Sequence, residues 1–296
     1  MNDRLNQSFR LKDGRNLGFA ELGDPNGIPV FYFHGYAGAR TEPLILELLN
    51  KKINCRLISI DRPGMGLSDF KNDRTVLEWP EDIIELADHL GLSKFHILGV
   101  SGGGPYAAVC AYKIPERIIT VGVVGGVAPY SESKKYFVNP NKILFKLLKK
   151  LPFLIKLSQK QSAKLMKKPE RLNKLLIKQI DLAQKTLPKP DADLYKDEKM
   201  IEYLKIHFNE IFRQGYRGSF EDGLLQVKPW GFELTDILES VEYFVWHGEL
   251  DKNVPIGIGK YVASSIKHSK AKFYPGEAHL STLVNKFEEI IDTLTN

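Results

Sequence analysis

Gly99-Val100-Ser101-Gly102-Gly103 is the sharpest chemical signal in the chain. It fits G-x-S-x-G, with an apolar run before it, Phe95–Val100, and a helix-forming stretch after it, Pro105–Ala111. A serine on a tight strand-to-helix turn is held in a strained backbone conformation, and small neighbours let the backbones come close. The turn lifts the serine Oγ to a helix N-terminus, where backbone N–H groups and the helix dipole favour negative charge. A plain glycine-rich turn or a phosphate loop is the competing reading, but no phosphate-cradling lysine follows the glycines. A serine hydroxyl is a weak nucleophile until a base takes its proton, and that base must be oriented by a carboxylate. Seven histidines are available. His34 and His247 end strand-like runs, and His89 and His96 precede Ser101 in the chain. His207 lies in a helical segment and His268 in a polar stretch. His279 follows Pro275-Gly276-Glu277-Ala278 just after the last apolar run, in a loop over the C-terminal edge of a sheet, where ligands sit in open α/β folds. That position selects His279 as the base. The acid is sought between them, in His247–Pro255, where Glu249 and Asp251 both qualify. Asp251 is preferred because a shorter side chain in a tight loop fixes an imidazole more rigidly.

Short continuous apolar runs must carry these residues. Ile28–Phe33, Arg56–Ile60, Phe95–Val100, Ile118–Val124, Glu242–Trp246 and Ala271–Tyr274 each stop at a polar or glycine-containing turn, as central strands of a parallel sheet do. Ser8–Leu11 and Asn16–Leu22 flank Asp13-Gly14 and predict a hairpin. Pro80–Leu90 carries one apolar stripe and ends at Gly91, and Leu283–Leu294 closes the chain as a helix. From about Tyr130 to Lys228 the strand signals vanish into a Lys-rich helical segment. Strand–helix alternation interrupted once and then resumed predicts an α/β fold, a mostly parallel central sheet with flanking helices, carrying a helical insertion rather than two sequential domains. The expected division is a core of 1–129 and 229–296 with a cap of 130–228.

Five motifs occur in order: the strand end at His34-Gly35, Asp61-Arg62-Pro63-Gly64-Met65-Gly66-Leu67-Ser68, the Ser101 turn, His247–Pro255, and Gly276-Glu277-Ala278-His279. In this the chain resembles the α/β-hydrolase fold superfamily over residues 8–129 and 229–294. The resemblance implies Ser101 as nucleophile, Asp251 as orienting acid and His279 as base, in the family's chain order. It implies an oxyanion hole from the backbone N–H groups of Gly102 and Tyr36, and a helical cap where the insertion lies. Members that open epoxides or carbon–halogen bonds carry Asp at the nucleophile position, so Ser101 argues against both. The expected chemistry is an acyl-enzyme mechanism on a small-molecule acyl substrate, foremost a carboxylic ester. A proline iminopeptidase-like aminopeptidase is the alternative, and would need acids in the cap, such as Asp191, Asp193, Asp197, Glu198, Glu202 or Glu210, to hold a free amine. A non-catalytic small-molecule receptor on the same scaffold is the alternative of a different class. Asp61 and Arg62 are expected to form an ion pair that holds the strand-end turn.

The 296 residues include enough apolar and aromatic material for a large core: 43% hydrophobic, with 16 Phe and 12 Tyr. Two cysteines, Cys55 and Cys110, far apart and outside C-x-x-C spacing, exclude a disulfide scaffold and suit a reducing compartment. The polar N-terminus has no secretory pattern and no run could span a bilayer, so a cytoplasmic location is expected. The spacing of the histidines offers no metal site, and no cofactor is required. The net charge of +6 is unevenly held. Residues 134–178 hold 13 Lys, Arg171 and a single acid, Glu170, a balance of +13, which leaves −7 for the rest. Within them, Lys142–Leu157 predicts a helix with Ile143, Leu144, Leu147, Leu148 and Leu151 on one face and lysines largely on the other, kinked or ended by Pro152. The favoured reading is a cap helix burying that face with its lysines solvated. Reversible docking on an anionic membrane and steering of anionic substrates rank behind it. No recognition motif accompanies the charge, so nucleic-acid binding is not expected. The pattern does not specify an oligomeric state.

Overall fold

A computed structural model describes residues 3–296. One eight-stranded sheet organises the chain: β1 (Gln7–Arg10), β2 (Asn16–Gly23), β3 (Pro29–Phe33), β4 (Arg56–Ile60), β5 (Phe95–Val100), β6 (Ile118–Val124), β7 (Glu242–Gly248) and β8 (Lys270–Tyr274). The order across the sheet is β1-β2-β4-β3-β5-β6-β7-β8. The pairs β1/β2 and β2/β4 are antiparallel and every other pair is parallel. Burial on both faces explains the continuous apolar runs of β3 to β7, and all six residues of β5 are buried, whereas β8, expected as a buried strand, is a mostly exposed edge strand. Alternate side chains of β3 serve opposite faces: Phe31 and Phe33 enter one core, Val30 and Tyr32 the other.

Helices α1 (Leu44–Leu48), α2 (Trp79–His89) and α3 (Gly104–Lys113) connect the first strands. Between β6 and β7 run α4 (Tyr130–Ser133), α5 (Asn141–Lys150), α6 (Pro152–Met166), α7 (Pro169–Thr186), α8 (Lys189–Leu194), α9 (Lys199–Ile211) and α10 (Arg217–Leu225). After β7 come α11 (Ile256–Ser265) and α12 (His279–Thr295). Helices α2, α3 and α11 pack on one face of the sheet and α1 and α12 on the other.

Two expectations shift. The closing helix begins at His279, four residues before Leu283, so His279 is its first residue instead of part of a loop. The stretch Lys142–Leu157 is ended at Pro152 as expected, since Leu151 closes α5 and Pro152 opens α6. What shifts there is its buried stripe, which is rotated. Phe145 packs on Phe137 with ring centroids 4.6 Å apart and lies 6.2 Å from Tyr130, and this aromatic contact turns Phe145 and Leu148 inward. Ile143 and Leu151, expected on the buried face, stand in solvent.

Candidate functional site

The turn after β5 puts Ser101 at φ +52°, a left-handed conformation that a non-glycine residue holds at a cost of about 1–3 kcal/mol. Its neighbours explain the glycine spacing. A Cβ on Gly103 would sit 2.0 Å from the carbonyl oxygen of Phe33, and one on Gly99 2.8 Å from the Cβ of Ala107. Helix α3 can therefore start directly against β3 and β5. A Cβ on Gly102 would lie 2.8 Å from the backbone nitrogen of Tyr36, so the two backbone segments expected to supply an oxyanion hole lie side by side.

The strand-end loop after β7 and the first turn of α12 bring Asp251 and His279 together. His279 Nδ1 lies 2.6 Å from Asp251 Oδ2. The other carboxylate oxygen, Oδ1, accepts the backbone N–H groups of Asn253 and Val254, each at 2.8 Å. Asp251 is thus buried and clamped, whereas Glu249 is exposed at the surface. Burial disfavours a charged His279, but Asp251, then Asp191 and Glu42, outweigh it and hold its pKa above the ordinary imidazole value. Asp191 also accepts the backbone N–H groups of His279 (3.2 Å) and Ser281 (2.8 Å), so α8 caps the helix that presents His279.

The pattern of residues did not disclose several further members of the site. His247 Nε2 lies 3.5 Å from Asp251 Oδ2 and donates to the carbonyl of Val254 at 2.6 Å. Burial keeps its pKa low, and the neutral ring with its proton on Nε2 braces the acid loop. Asp61 and Arg62 do not pair with each other. Asp61 binds Arg40 at 3.0 Å and accepts the backbone N–H of Leu67. Arg62 makes two 2.8 Å bonds to Asp222 of α10 and donates to the carbonyls of His34 and Gly35. The two side chains leave the turn in different directions because each meets a buried partner brought in from distant sequence. Arg62 still does the expected work of holding the strand end that leads to Tyr36. Arg74 and Tyr106 complete the buried cluster around Asp222.

Two cavities meet at Ser101, Tyr36 and His279. One, of about 310 Å³, is walled by Leu144 and Phe145 of α5 with Gln226 and Asn253. The other, of about 210 Å³, is walled by Glu42, Tyr203 and His207. Tyr36 Oη accepts a 2.8 Å bond from Gln159 of α6, which ties the strand-end loop to the helices above it. Glu42 accepts Tyr32 Oη at 2.8 Å and the backbone N–H of Gly35 at 2.9 Å, and burial pushes its pKa up. His207 Nδ1 has no hydrogen-bond partner among the described residues, and burial pushes its pKa down to about 4. The acids considered for a free amine are engaged elsewhere or point to solvent: Asp191 caps α12, Glu210 binds Arg40, Asp193 binds Lys189 and Lys196, and Asp197, Glu198 and Glu202 are exposed. Among the described residues no group of three His, Cys, Asp or Glu is placed to hold a metal ion.

A family model described as alpha/beta hydrolase fold matches residues 28–286. Over 113 residues the chain is 32% identical to a proline iminopeptidase of Neisseria gonorrhoeae, covering 37% of this chain and 36% of that protein. Over 114 residues it is 32% identical to the dihydrolipoyllysine-residue acetyltransferase component of the acetoin cleaving system of Pseudomonas putida, covering 38% of this chain and 30% of that protein. The chain thus spans only about a third of the length of these curated relatives. Solved structures match along nearly the whole chain. An esterase from Rhodococcus sp. ECU1013 superimposes with a TM-score of 0.65 at 18% identity, covering 98% of this chain and 99% of that one. The enol-lactonase of Burkholderia xenovorans LB400 gives 0.66 at 15%, covering 98% and 100%. At such identities these two structures speak for the fold alone. The strand order, the helices on both faces of the sheet and a family match running from β3 into α12 agree, and the chain belongs to the alpha/beta hydrolase fold family.

Proposed function

We propose that this chain is a serine hydrolase that cleaves a small carboxylic ester through an acyl-enzyme, with Ser101 as nucleophile, His279 as base and Asp251 as the acid that orients it. The observation that carries the proposal is the 2.6 Å contact between Asp251 and His279 at the rim of a cavity that Ser101 also lines. In the first half-reaction Ser101 Oγ attacks the ester carbonyl while His279 Nε2 takes its proton. Asp251, held by the N–H groups of Asn253 and Val254, stabilises the imidazolium. The tetrahedral oxyanion lies between the backbone N–H groups of Gly102 and Tyr36, where loss of one donor typically costs on the order of 10²–10³ in rate. The carbon–oxygen bond to the alcohol breaks, and His279 protonates the departing oxygen. In the second half-reaction His279 takes a proton from water, the resulting hydroxide attacks the acyl-enzyme, and the proton returns to Ser101 as the acid leaves.

Residues 130–228 act in this proposal as a cap over a core of 1–129 and 229–296. The walls that Phe145, His207 and Gln226 lend to the two cavities support that division. Incubation with a fluorophosphonate and intact-mass measurement tests the assignment. One adduct per chain is expected, absent from Ser101→Ala, which should fold normally and lose more than about 10³ of the ester turnover. Full labelling of the variant would remove Ser101 from the role. Turnover beyond one equivalent of ester separates an enzyme from a receptor built on this scaffold.

A proline iminopeptidase-like aminopeptidase is a second reading, favoured by the local identity to the Neisseria protein and by the carboxylate of Glu42 at the wall of a cavity shared with Ser101. Hydrolysis of a prolyl arylamide faster than of any acyl ester would move the conclusion there.

A further inference from the structure

We propose that the α5–α6 hairpin is a docking surface for an anionic lipid layer, which it meets with the outer face of the wall that encloses the larger cavity. Twelve large hydrophobic side chains stand in solvent among the described residues, and five of them fall between residues 143 and 157. Phe153 is 61% exposed, Leu157 54%, Ile143 52%, Leu151 44% and Leu154 40%. Phe153 and Leu154 each lie one turn before Leu157 at the start of α6, next to Leu151 in the bend, so they form one protruding apolar tip. The opposite side of the same hairpin is fully used. Phe145 and Leu148 enter the core, Leu144 and Phe145 wall the cavity, and Gln159 holds Tyr36. The exposed apolar side chains are therefore not a face left over from a helix that packs nothing.

Charge decides what covers the tip. Every lysine ion pair among the described residues lies outside 134–178, so the 13 lysines of that segment carry no carboxylate partner. Lys142, Lys146, Lys149, Lys150, Lys156 and Lys160 lie on the same two helices and are all exposed, with Lys149 over the Tyr130 ring and Lys156 over the Phe220 ring. A second copy of the chain meeting this face about a two-fold axis would set lysines against lysines, which opposes a dimer there. An anionic bilayer surface supplies both halves of what the hairpin presents. Hydrocarbon at the headgroup boundary accepts the apolar tip, and lipid phosphates accept lysines that extend along it. No helix among the described residues is long and apolar enough to cross a membrane, so the contact is with the surface only. Docked in this way, α5 would hold the cavity beside the lipid layer.

Co-sedimentation of the full chain with vesicles of phosphatidylcholine alone, or mixed with phosphatidylglycerol, tests the proposal. Binding to the mixed vesicles at low salt is expected, with at least a tenfold smaller bound fraction on pure phosphatidylcholine. A similar loss is expected in 0.5 M salt, where screening acts within about 4 Å. Phe153→Glu with Leu157→Glu, and separately Lys150→Gln with Lys160→Gln, should each lower the bound fraction at least tenfold. Both double variants should hydrolyse a soluble short-chain ester like the parent. That second readout keeps failure of docking distinct from failure of the serine hydrolase proposal. Binding that survives Phe153→Glu with Leu157→Glu would overturn the proposal in favour of charge-only adsorption. No binding to anionic vesicles would overturn it as well. So would a parent dimer in sedimentation velocity that the same variant converts to monomer, since the tip would then belong to a second copy.

Discussion

The contact between Asp251 and His279 makes a prediction that its neighbour Glu249 does not share. Asp251 is buried and its second oxygen is occupied by two backbone N–H groups, while Glu249 is exposed and reaches no side chain in the site. Asp251→Asn should lower kcat/KM for an acyl ester by about 10⁴, because an amide neither stabilises imidazolium nor selects the productive tautomer. Glu249→Gln should leave it within about twofold, as a surface change far from any partner does. The pH profile gives a second readout. In the proposed reaction His279 acts as a base only when neutral, and its charged form is favoured by Asp251. Activity should therefore fall with decreasing pH at a midpoint above about 6.5, the free imidazole value. In Asp251→Asn the midpoint of the residual activity should move down. An acid limb that stays in place would detach His279 from that titration.

At the scale of elements, the junction of β3, β5 and α3 depends on missing side chains. Gly103 lies so close to the carbonyl of Phe33 that a methyl group there, 2.0 Å from the oxygen, forces α3 away from β3. Gly103→Ala should destabilise the fold by about 1–3 kcal/mol, the usual cost of overpacking. It should also lower the rate of adduct formation with a fluorophosphonate, because the strained turn at Ser101 shares that backbone. Gly276, which has nothing within 4 Å of where its Cβ would be, is the matched control, and Gly276→Ala should change neither urea midpoint nor labelling. Equal midpoints for the two variants would show that the junction tolerates the added methyl.

For the whole molecule, the decisive tie is Asp222, which binds the helices between β6 and β7 to the sheet through Arg62 and Arg74. Burial works against its charge, but the two guanidiniums overcome it and hold its pKa well below the ordinary carboxylate value. A depressed carboxylate adds stability above its unfolded pKa of about 3.9, and that stability is lost as pH falls through the lower folded value. Asp222→Asn should cost about 3–5 kcal/mol at neutral pH, because two buried guanidiniums lose their counter-charge. The loss of stability below about pH 4 should become shallower in the variant, as urea midpoints across pH would show. Unchanged midpoints would mean that Arg62 and Arg74 find other acceptors. Much of this architecture was legible in the amino-acid order. Burial on both faces demands continuous apolar runs, so β3 to β7 could be read from them, the Asp13-Gly14 turn marked β1 and β2, and β8 showed as a short run although it lies mostly exposed at the sheet edge; the Ser101 turn declares itself because only glycines fit around it. Asp251 and His279 follow from strand ends that a parallel sheet gathers along one edge. The partners of Asp61 and Arg62 could not be read, because Arg40 and Asp222 reach them across 21 and 160 residues of chain. The same holds for Glu42, His207 and His247, whose types alone do not separate a packed side chain from a cavity wall or a brace. The outward face of α5 was misjudged for a related reason. Periodicity locates an apolar stripe, but the contact of Phe145 with Phe137 decides how the helix is rotated, and contacts between distant residues exist only once the chain has folded.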